Sequence, residues 1–558
     1  MGLRESKRIR FIKENGIATF LWHTTCNSCV VGYLLQIYPK LVLSKSQYKT
    51  FKLAYKHFEE NYRNIIVISP LFFMKNLKKH IAWLESDTFK NQYGSIENLE
   101  NISKNTIGAT MMSPQKDSRI DEFTPPPPIC INGYSPQTSN HLSPTPNINS
   151  IQHNIDMGTV INPYPPLLNP KTIDYKHIGA EMAWELNLPL PSNYKFVWVC
   201  NGGSGSEAFM SFLEHCGVNL EPFWYHAKEK YMLDFNMLVS KPNQYNILCI
   251  HNRYIEHTKY IHLTQKRDFI YIAGDVISRL KSGLNHLDND TMADIITHAM
   301  RNPTPNTPKE KMFPDLRYYY KDSQGLPNTK CLNTHMLHSY TGFYDFFSYV
   351  KPYIKNLYIL STNDLNAENA FKTFQRLYEI FCLPKAPTDE KLFTQRANMF
   401  RGGLYVLPIS LRIQLIDVLA TIEIMPYRFS LNLPFKESKI NISQEIFAKE
   451  VVIDSMEIVF MINKDEFAKL MEDYESYEKV RLYIAEYIDM LEVSVERNKS
   501  QLVSETDILL YLQKTGPHRE QLQELMKMEA EYFKTYCRDI FSSWKYYQEF
   551  EEICIKEQ

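Results

Sequence analysis

Between residues 171 and 430 the chain repeats one pattern, a short continuous apolar run followed by an amphipathic stretch. The runs at 196–200, 247–250, 269–273 and 357–360 are strand-length and lack the alternation of a half-exposed strand, so both faces of each must be covered. The stretches at 207–216, 277–286 and 368–381 have the length and apolar spacing of helices. Apolar strands alternating with helices predict the α/β class, a parallel sheet flanked by helices. Ligands in such folds bind beyond the carboxyl ends of the strands. The residues at those ends are where chemistry is expected.

The first run leads through Cys200 and Asn201 into Gly202-Gly203-Ser204-Gly205-Ser206, then a helix through Phe209, Phe212 and Leu213. Glycines let backbone N–H groups turn toward one point, and the helix adds the positive end of its dipole, which together make a seat for phosphate or sulfate. An ordinary tight strand-to-helix turn is the plainer alternative. Gly203, Gly205 and Ala208 also satisfy the dinucleotide-binding spacing. The following segment, 218–234, is aromatic and broken by Pro222, with no second strand ending in an acidic ribose ligand. No Gly-Lys-Ser/Thr follows the glycines, which argues against a Walker-type nucleotide hydrolase.

Around this core the 558 residues have room for two to four domains. Residues 1–100 read as a small α/β or mostly helical unit, with a strand at 65–68 and helices at 53–62 and 73–84. Residues 101–170 read as a linker: eleven of the 30 prolines lie between Phe123 and Pro170, with Asp156 as the one acidic or basic residue there. Residues 431–558 read as a strand at 450–462 and a charged helical tail. Within the tail, Ser504 with Asp507 forms a capping box, and Leu522, Leu525, Met526, Tyr532, Phe533, Tyr536 and Ile540 form a packing face.

The net charge of −1 gives the chain as a whole no electrostatic case for nucleic acid or an acidic membrane. No run approaches a transmembrane span. Cys200, Cys249 and Cys382 sit in apolar runs, as buried thiols do. Cys26 and Cys29 lack a second pair at zinc spacing, and no His or carboxylate cluster has ligand spacing, so no metal is expected. A reducing, cytoplasmic setting fits these thiols best.

Four features of 171–430 follow in order. They are the Gly203-Ser204-Gly205-Ser206 loop, His251 at the end of a strand, Gly274-Asp275 leading through Arg279 to Ser282, and Leu360-Ser361-Thr362-Asn363-Asp364-Leu365. The last precedes a helix that closes in Ile380-Phe381-Cys382-Leu383-Pro384. This order resembles the P-loop-fold sulfotransferases, which move sulfuryl from 3′-phosphoadenosine 5′-phosphosulfate to a hydroxyl or amine. The resemblance implies a transferase whose donor phosphosulfate rests on Gly202, Gly203, Ser204, Gly205 and Ser206. It implies that Ser282 and Arg279 meet the 3′-phosphate and that His251 is the base. Phe400-Arg401-Gly402-Gly403 is loosely similar to the family's later phosphate loop, which implies Arg401 as a further donor contact. Two departures stand out: Gly203 replaces the family's catalytic cation, and Gly274 replaces its 3′-phosphate arginine. Each lost cation removes about 1.5–3 kcal/mol of charge-assisted contact.

The ending Ser543-Trp544-Lys545-Tyr546-Tyr547-Gln548-Glu549-Phe550 resembles an uncharacterised bacterial family associated with surface-glycan loci. It implies a glycan or glycan-precursor acceptor and peripheral association with a glycan assembly system. A relative with weakened chemistry, acting as a binding or assembly component, is the rival expectation.

Overall fold

Alternate residues of the first apolar run serve opposite faces of one sheet. Val197 and Val199 join one hydrophobic cluster, and Phe196, Trp198 and Cys200 join another. The computed structural model describes residues 27–97, 124–132, 162–222, 225, 227–252, 258–288, 301–313, 316–397, 403–431 and 433–557. The sheet holds β1 (Pro128–Cys130), β2 (Tyr194–Cys200), β3 (Asn246–His251), β4 (Arg267–Ala273) and β5 (Ile354–Ser361) in the order β1-β5-β4-β2-β3. Every pairing is parallel. All four apolar runs of 171–430 are its strands. Helices Ser206–His215 and Ala370–Phe381 cover one face. Helices Ala227–Ser240, Val276–Leu284 and Phe343–Val350 cover the other.

The chain leaves β2 to form β3 on one side, then crosses back to form β4 on the other. The winding therefore reverses at β2, and a crevice opens beyond its carboxyl end. The glycine-rich loop begins there.

A second sheet is antiparallel. It runs β6 (Ile409–Gln414), β7 (Leu419–Pro426), β10 (Met456–Asn463), β8 (Lys439–Asn441), with β9 (Val451–Ile453) also on β10. Alternation is plain in Ile409-Ser410-Leu411-Arg412-Ile413-Gln414, whose isoleucines and leucine are buried. Strands β6 and β7 fall before residue 430 yet belong to this sheet, not the parallel one. The strand expected at 450–462 is a hairpin instead. Asp454 and Ser455 turn it with φ of 50° and 60°, the conformation of a two-residue mirror-image turn. Glycine or asparagine usually marks that turn, so the sequence concealed it.

The strand expected at 65–68 is also corrected. Ile65 and Ile66 lie fully buried in helix Glu59–Ile68, on the face of Tyr62. A short β-branched run cannot be told from a buried helical segment by periodicity. The N-terminal helices share the large hydrophobic cluster of the parallel sheet. Asn61 donates to the Glu185 carbonyl at 2.8 Å and Trp83 Nε1 to that of Pro166 at 2.8 Å.

Part of the expected linker is structural. Strand β1 extends the parallel sheet, and Arg376 donates to the Ile131 carbonyl just beyond it. Residues 133–161 lie outside the described residues. Cys130 forms a disulfide with Cys537, 407 residues away, so this pair departs from the thiols expected by sequence. Cys200 and Cys249 are buried, but Cys382 is exposed. Cys382 caps a helix with φ of 51°, a left-handed position that carries its side chain away from the apolar face.

The tail folds back in cis. Helix Tyr474–Ser500 lays Val480, Tyr483, Ile484, Tyr487 and Leu491 on the antiparallel sheet. Helices Glu505–Lys514, Gly516–Tyr536 and Lys545–Lys556 return to the parallel sheet's core. The Ser504–Asp507 capping box forms as expected. Leu522, Met526, Tyr532, Phe533 and Ile540 are buried, whereas Tyr536 is exposed.

Candidate functional site at the carboxyl ends of β2, β3 and β4

Gly203 and Gly205 both take left-handed conformations, with φ of 74° and 75°, and Gly205 caps helix Ser206–His215 without a side chain. The helix N-terminus therefore opens on the loop, as an anion seat requires. The two serines face inward. Ser204 Oγ donates to the Asn201 carbonyl at 2.6 Å and Ser206 Oγ to the same carbonyl at 3.1 Å. Their role in this arrangement is to hold the loop, leaving its backbone to meet a ligand.

The structure brings the loop against the second element that the sequence singled out. A side-chain carbon at Gly203 would stand 2.9 Å from the Arg279 carbonyl and 2.9 Å from Ser282 Cβ. One at Gly274 would stand 2.6 Å from Thr362 Cγ2. Both positions where the resemblance expects a cation are thus packed too closely for a side chain. Gly203→Ala is expected to destabilise the protein by at least about 1–2 kcal/mol from its backbone conformation alone. A melting temperature equal to wild type would contradict this close packing.

Arg279 is 1 % exposed, and its guanidinium turns inward. Nε donates to the Gly202 carbonyl at 3.3 Å, Nη1 lies 3.8 Å from Glu529 Oε1, and Nη2 makes no hydrogen bond among the described residues. Glu529, on helix Gly516–Tyr536, accepts from the Phe343 backbone N–H at 3.2 Å. Burial raises the Glu529 carboxyl above its ordinary pKa, with Arg279 and that N–H opposing. Asn201 Nδ2 donates to the Tyr271 hydroxyl at 2.6 Å. A buried polar network thus ties the start of the loop to the C-terminal tail.

Helix Val276–Leu284 is clamped from the same direction. Asp275 accepts from Ile277 N at its own helix start and from Tyr546 N and Tyr547 N of the last helix. Lys281 and Ser278 both reach Glu505. Tyr546 and Tyr547 belong to the tail motif noted in the sequence.

His251 ends β3, half-buried, in register with Cys200 of β2. The next residues on each strand are Asn201 and Asn252, 1 % and 4 % exposed. Neither amide oxygen has a hydrogen-bond partner among the described residues. Each places one buried, unsatisfied polar group at the crevice end of the sheet. Sequence reasoning passed over both asparagines. Arg401 lies outside the described residues.

A cation that sequence reasoning also missed comes from the second sheet. Arg428, following β7, interacts with Glu207 and Glu214 on the helix that leaves the loop. Burial pulls its pKa down to about 10, with the two glutamates opposing. Residues 428 and 207 lie far apart in sequence, so only the tertiary fold brings the two charges within electrostatic reach. Among the described residues no three His, Cys, Asp or Glu side chains are grouped to hold a metal ion.

A family model described as a protein of unknown function (DUF2972) matches residues 359–557, from within β5 through the last helix. No curated protein and no solved structure matches the chain. The matched region contains Glu529, Asp364, Tyr546 and Tyr547, whereas the glycine-rich loop and His251 precede it.

Proposed function

We propose that the chain is a transferase that seats an activated anionic donor on the Gly202–Ser206 backbone and passes a sulfuryl or related group to a hydroxyl of a glycan or glycan precursor. The observation that carries this reading is the convergence of the loop, His251 and the two buried asparagines at the reversal of the sheet. Transfer of this kind places spread negative charge on oxygens in the transition state, and preorganised backbone N–H groups stabilise it. His251 takes the acceptor's proton, an imidazole being matched to neutral pH.

The donor implied by the resemblance, 3′-phosphoadenosine 5′-phosphosulfate, fits only in part. Its 5′ side suits the loop. Its 3′-phosphate finds no ready partner, because Arg279 and Ser282 are buried, 1 % and 5 % exposed, with the guanidinium turned toward Gly202 and Glu529. The donor in this reading is held through one anionic group. A non-catalytic binding role is the second reading, favoured by the closed packing at Gly203 and Gly274. The cytoplasmic setting expected from the buried thiols is opposed by the Cys130–Cys537 disulfide, a bond of oxidising compartments. Among the described residues no helix is long and apolar enough to cross a membrane.

Calorimetric titration with adenosine 5′-phosphate and with adenosine 3′,5′-bisphosphate tests the reading. A formed 3′-phosphate subsite adds about 1.5–3 kcal/mol, more than tenfold in affinity. Equal binding of the two is expected, and binding of neither would reject a nucleotide donor. With a donor in hand, His251→Ala must lose turnover at unchanged melting temperature; retained turnover would remove His251 from the chemistry.

A further inference from the structure

The net charge of −1 conceals a strong asymmetry. The first 97 residues hold fifteen Lys and Arg against seven Asp and Glu, while the remaining chain holds 47 against 56. Within the described N-terminal helices, residues 27–97, the balance is ten to five.

The same helices present apolar side chains to solvent. Tyr33, Ile37 and Leu41 lie four residues apart on a nearly continuous helical run, and Leu41 is 69 % exposed. Leu71 and Met74 share one stripe of helix Pro70–Glu85 with Lys75 and Lys78, all exposed, and Leu71 is 67 % exposed. The Tyr38 hydroxyl donates to the Met74 carbonyl at 3.2 Å, which sets the two runs side by side. Isolated exposed apolar residues need no explanation, but stripes of them rimmed by lysines mark an interaction surface.

We propose that this N-terminal surface docks on an anionic lipid membrane, with Leu41, Leu71 and Met74 entering the headgroup boundary and Lys40, Lys75 and Lys78 meeting lipid phosphates. Charge decides against the chain's own first segment as the occupant. Residues 1–26 carry five basic and two acidic side chains and would be repelled by a surface of the same sign. The excess of Ile, Leu and Met over Tyr33, the one exposed aromatic of this surface among the described residues, argues against nucleic acid, whose bases are held by aromatic stacking and whose backbone is met by polar groups. Lys and Arg beside exposed Leu, Ile and Met is the composition of an interfacial helix. This surface is separate from the glycine-rich loop, and its test needs no donor.

The test is co-sedimentation of the full chain with vesicles of phosphatidylcholine alone and of phosphatidylcholine containing about 30 % phosphatidylglycerol, the anionic fraction supplying the surface potential. The expected result is binding to the anionic vesicles only, weakening as salt is raised. Each lysine lost near such a surface costs about fivefold in partitioning, so Lys75→Glu with Lys78→Glu is expected to weaken binding by about 25-fold or more. Leu71→Ser with Met74→Ser is expected to weaken it as well, at unchanged melting temperature because these side chains are exposed. Binding to neither vesicle, equal binding to both, or unchanged binding of the variants overturns the proposal. So does a chain lacking residues 1–26 that loses all binding while the lysine variant keeps it. Capture by duplex RNA without vesicle binding would assign the surface to nucleic acid instead.

Discussion

Arg279→Met is expected to lower stability by about 3–5 kcal/mol, because it leaves Glu529 buried without its cation. Arg279 and Glu529 are both nearly inaccessible, and a buried ion pair broken on one side costs far more than the pair itself contributes. Glu529→Gln removes the charge but keeps an acceptor for the Phe343 N–H, so its cost is expected to be smaller. Adding Glu529→Gln to Arg279→Met is expected to recover part of the loss, a coupling that a double-mutant cycle reads directly. A chain with two sheets need not unfold in one step, so the readout is the melting transition that reports the parallel sheet. The cycle also separates two roles for Arg279. If it served mainly to meet a bound anion, Arg279→Met would cost anion affinity and leave the melting of the unliganded protein unchanged. The inward geometry predicts the reverse order of effects, loss of stability first and loss of anion affinity as its consequence through Gly202.

Replacing His80 is expected to remove a large part of the protein's sensitivity to acid. His80 is fully buried beside Tyr62, and burial pulls its pKa down to about 3. Its ring nitrogens make no hydrogen bond among the described residues. His262 behaves similarly, pulled down to about 4 by burial, with its ring nitrogens against the Tyr353 and Tyr349 hydroxyls. Both folded pKa values lie below the unfolded value of about 6.5, so the unfolded chain binds protons that the folded chain refuses. Stability is therefore complete above pH 6.5 and falls as pH drops toward 4 for His262 and 3 for His80. Each histidine contributes about 1.4 kcal/mol per pH unit inside its window.

The buried carboxyls Glu529, Asp234 and Asp275 are shifted upward and act in the opposite sense, gaining protons in the folded state as pH falls. The absolute slope therefore mixes both signs, and the difference between wild type and His80→Leu isolates the histidine. At pH 4.5 that difference is expected to have moved by about 2.7 kcal/mol in favour of the variant, relative to pH 7.5. Parallel melting curves from pH 7.5 to 4.5 would show that His80 is protonated in the folded state.

Residues 196–200 and 409–414 show where the sequence spoke clearly and where it needed the fold. Continuous apolarity in the first specified a strand covered on both faces, and it is an interior strand of the parallel sheet, between β4 and β3. Alternation in the second went unread, although Ile409, Leu411 and Ile413 stand at strand spacing. Nothing local, however, said that it pairs with β7 in a separate sheet, since register partners are set by the whole set of strands. The misread segments, 65–68 and 450–462, are short apolar runs whose periodicity fits more than one element. The site divides in the same way. Glycines at 203 and 205 announced a left-handed loop, and His251 announced itself by standing at a strand end. Asn201 and Asn252 carried no signal, because an asparagine gains meaning only when burial strips it of water.

The sequence by itself determined the α/β class, the loop, the capping box at Ser504 and the packing stripe of the tail. These follow from backbone sterics and from local periodicity. Only the tertiary structure decided that Arg279 turns inward to Glu529, that Gly203 and Gly274 have no room for the cations of the resembling family, and that Arg428 feels the charge of Glu207. Such long-range contacts depend on how separate elements pack, and no local stretch of chain contains that information.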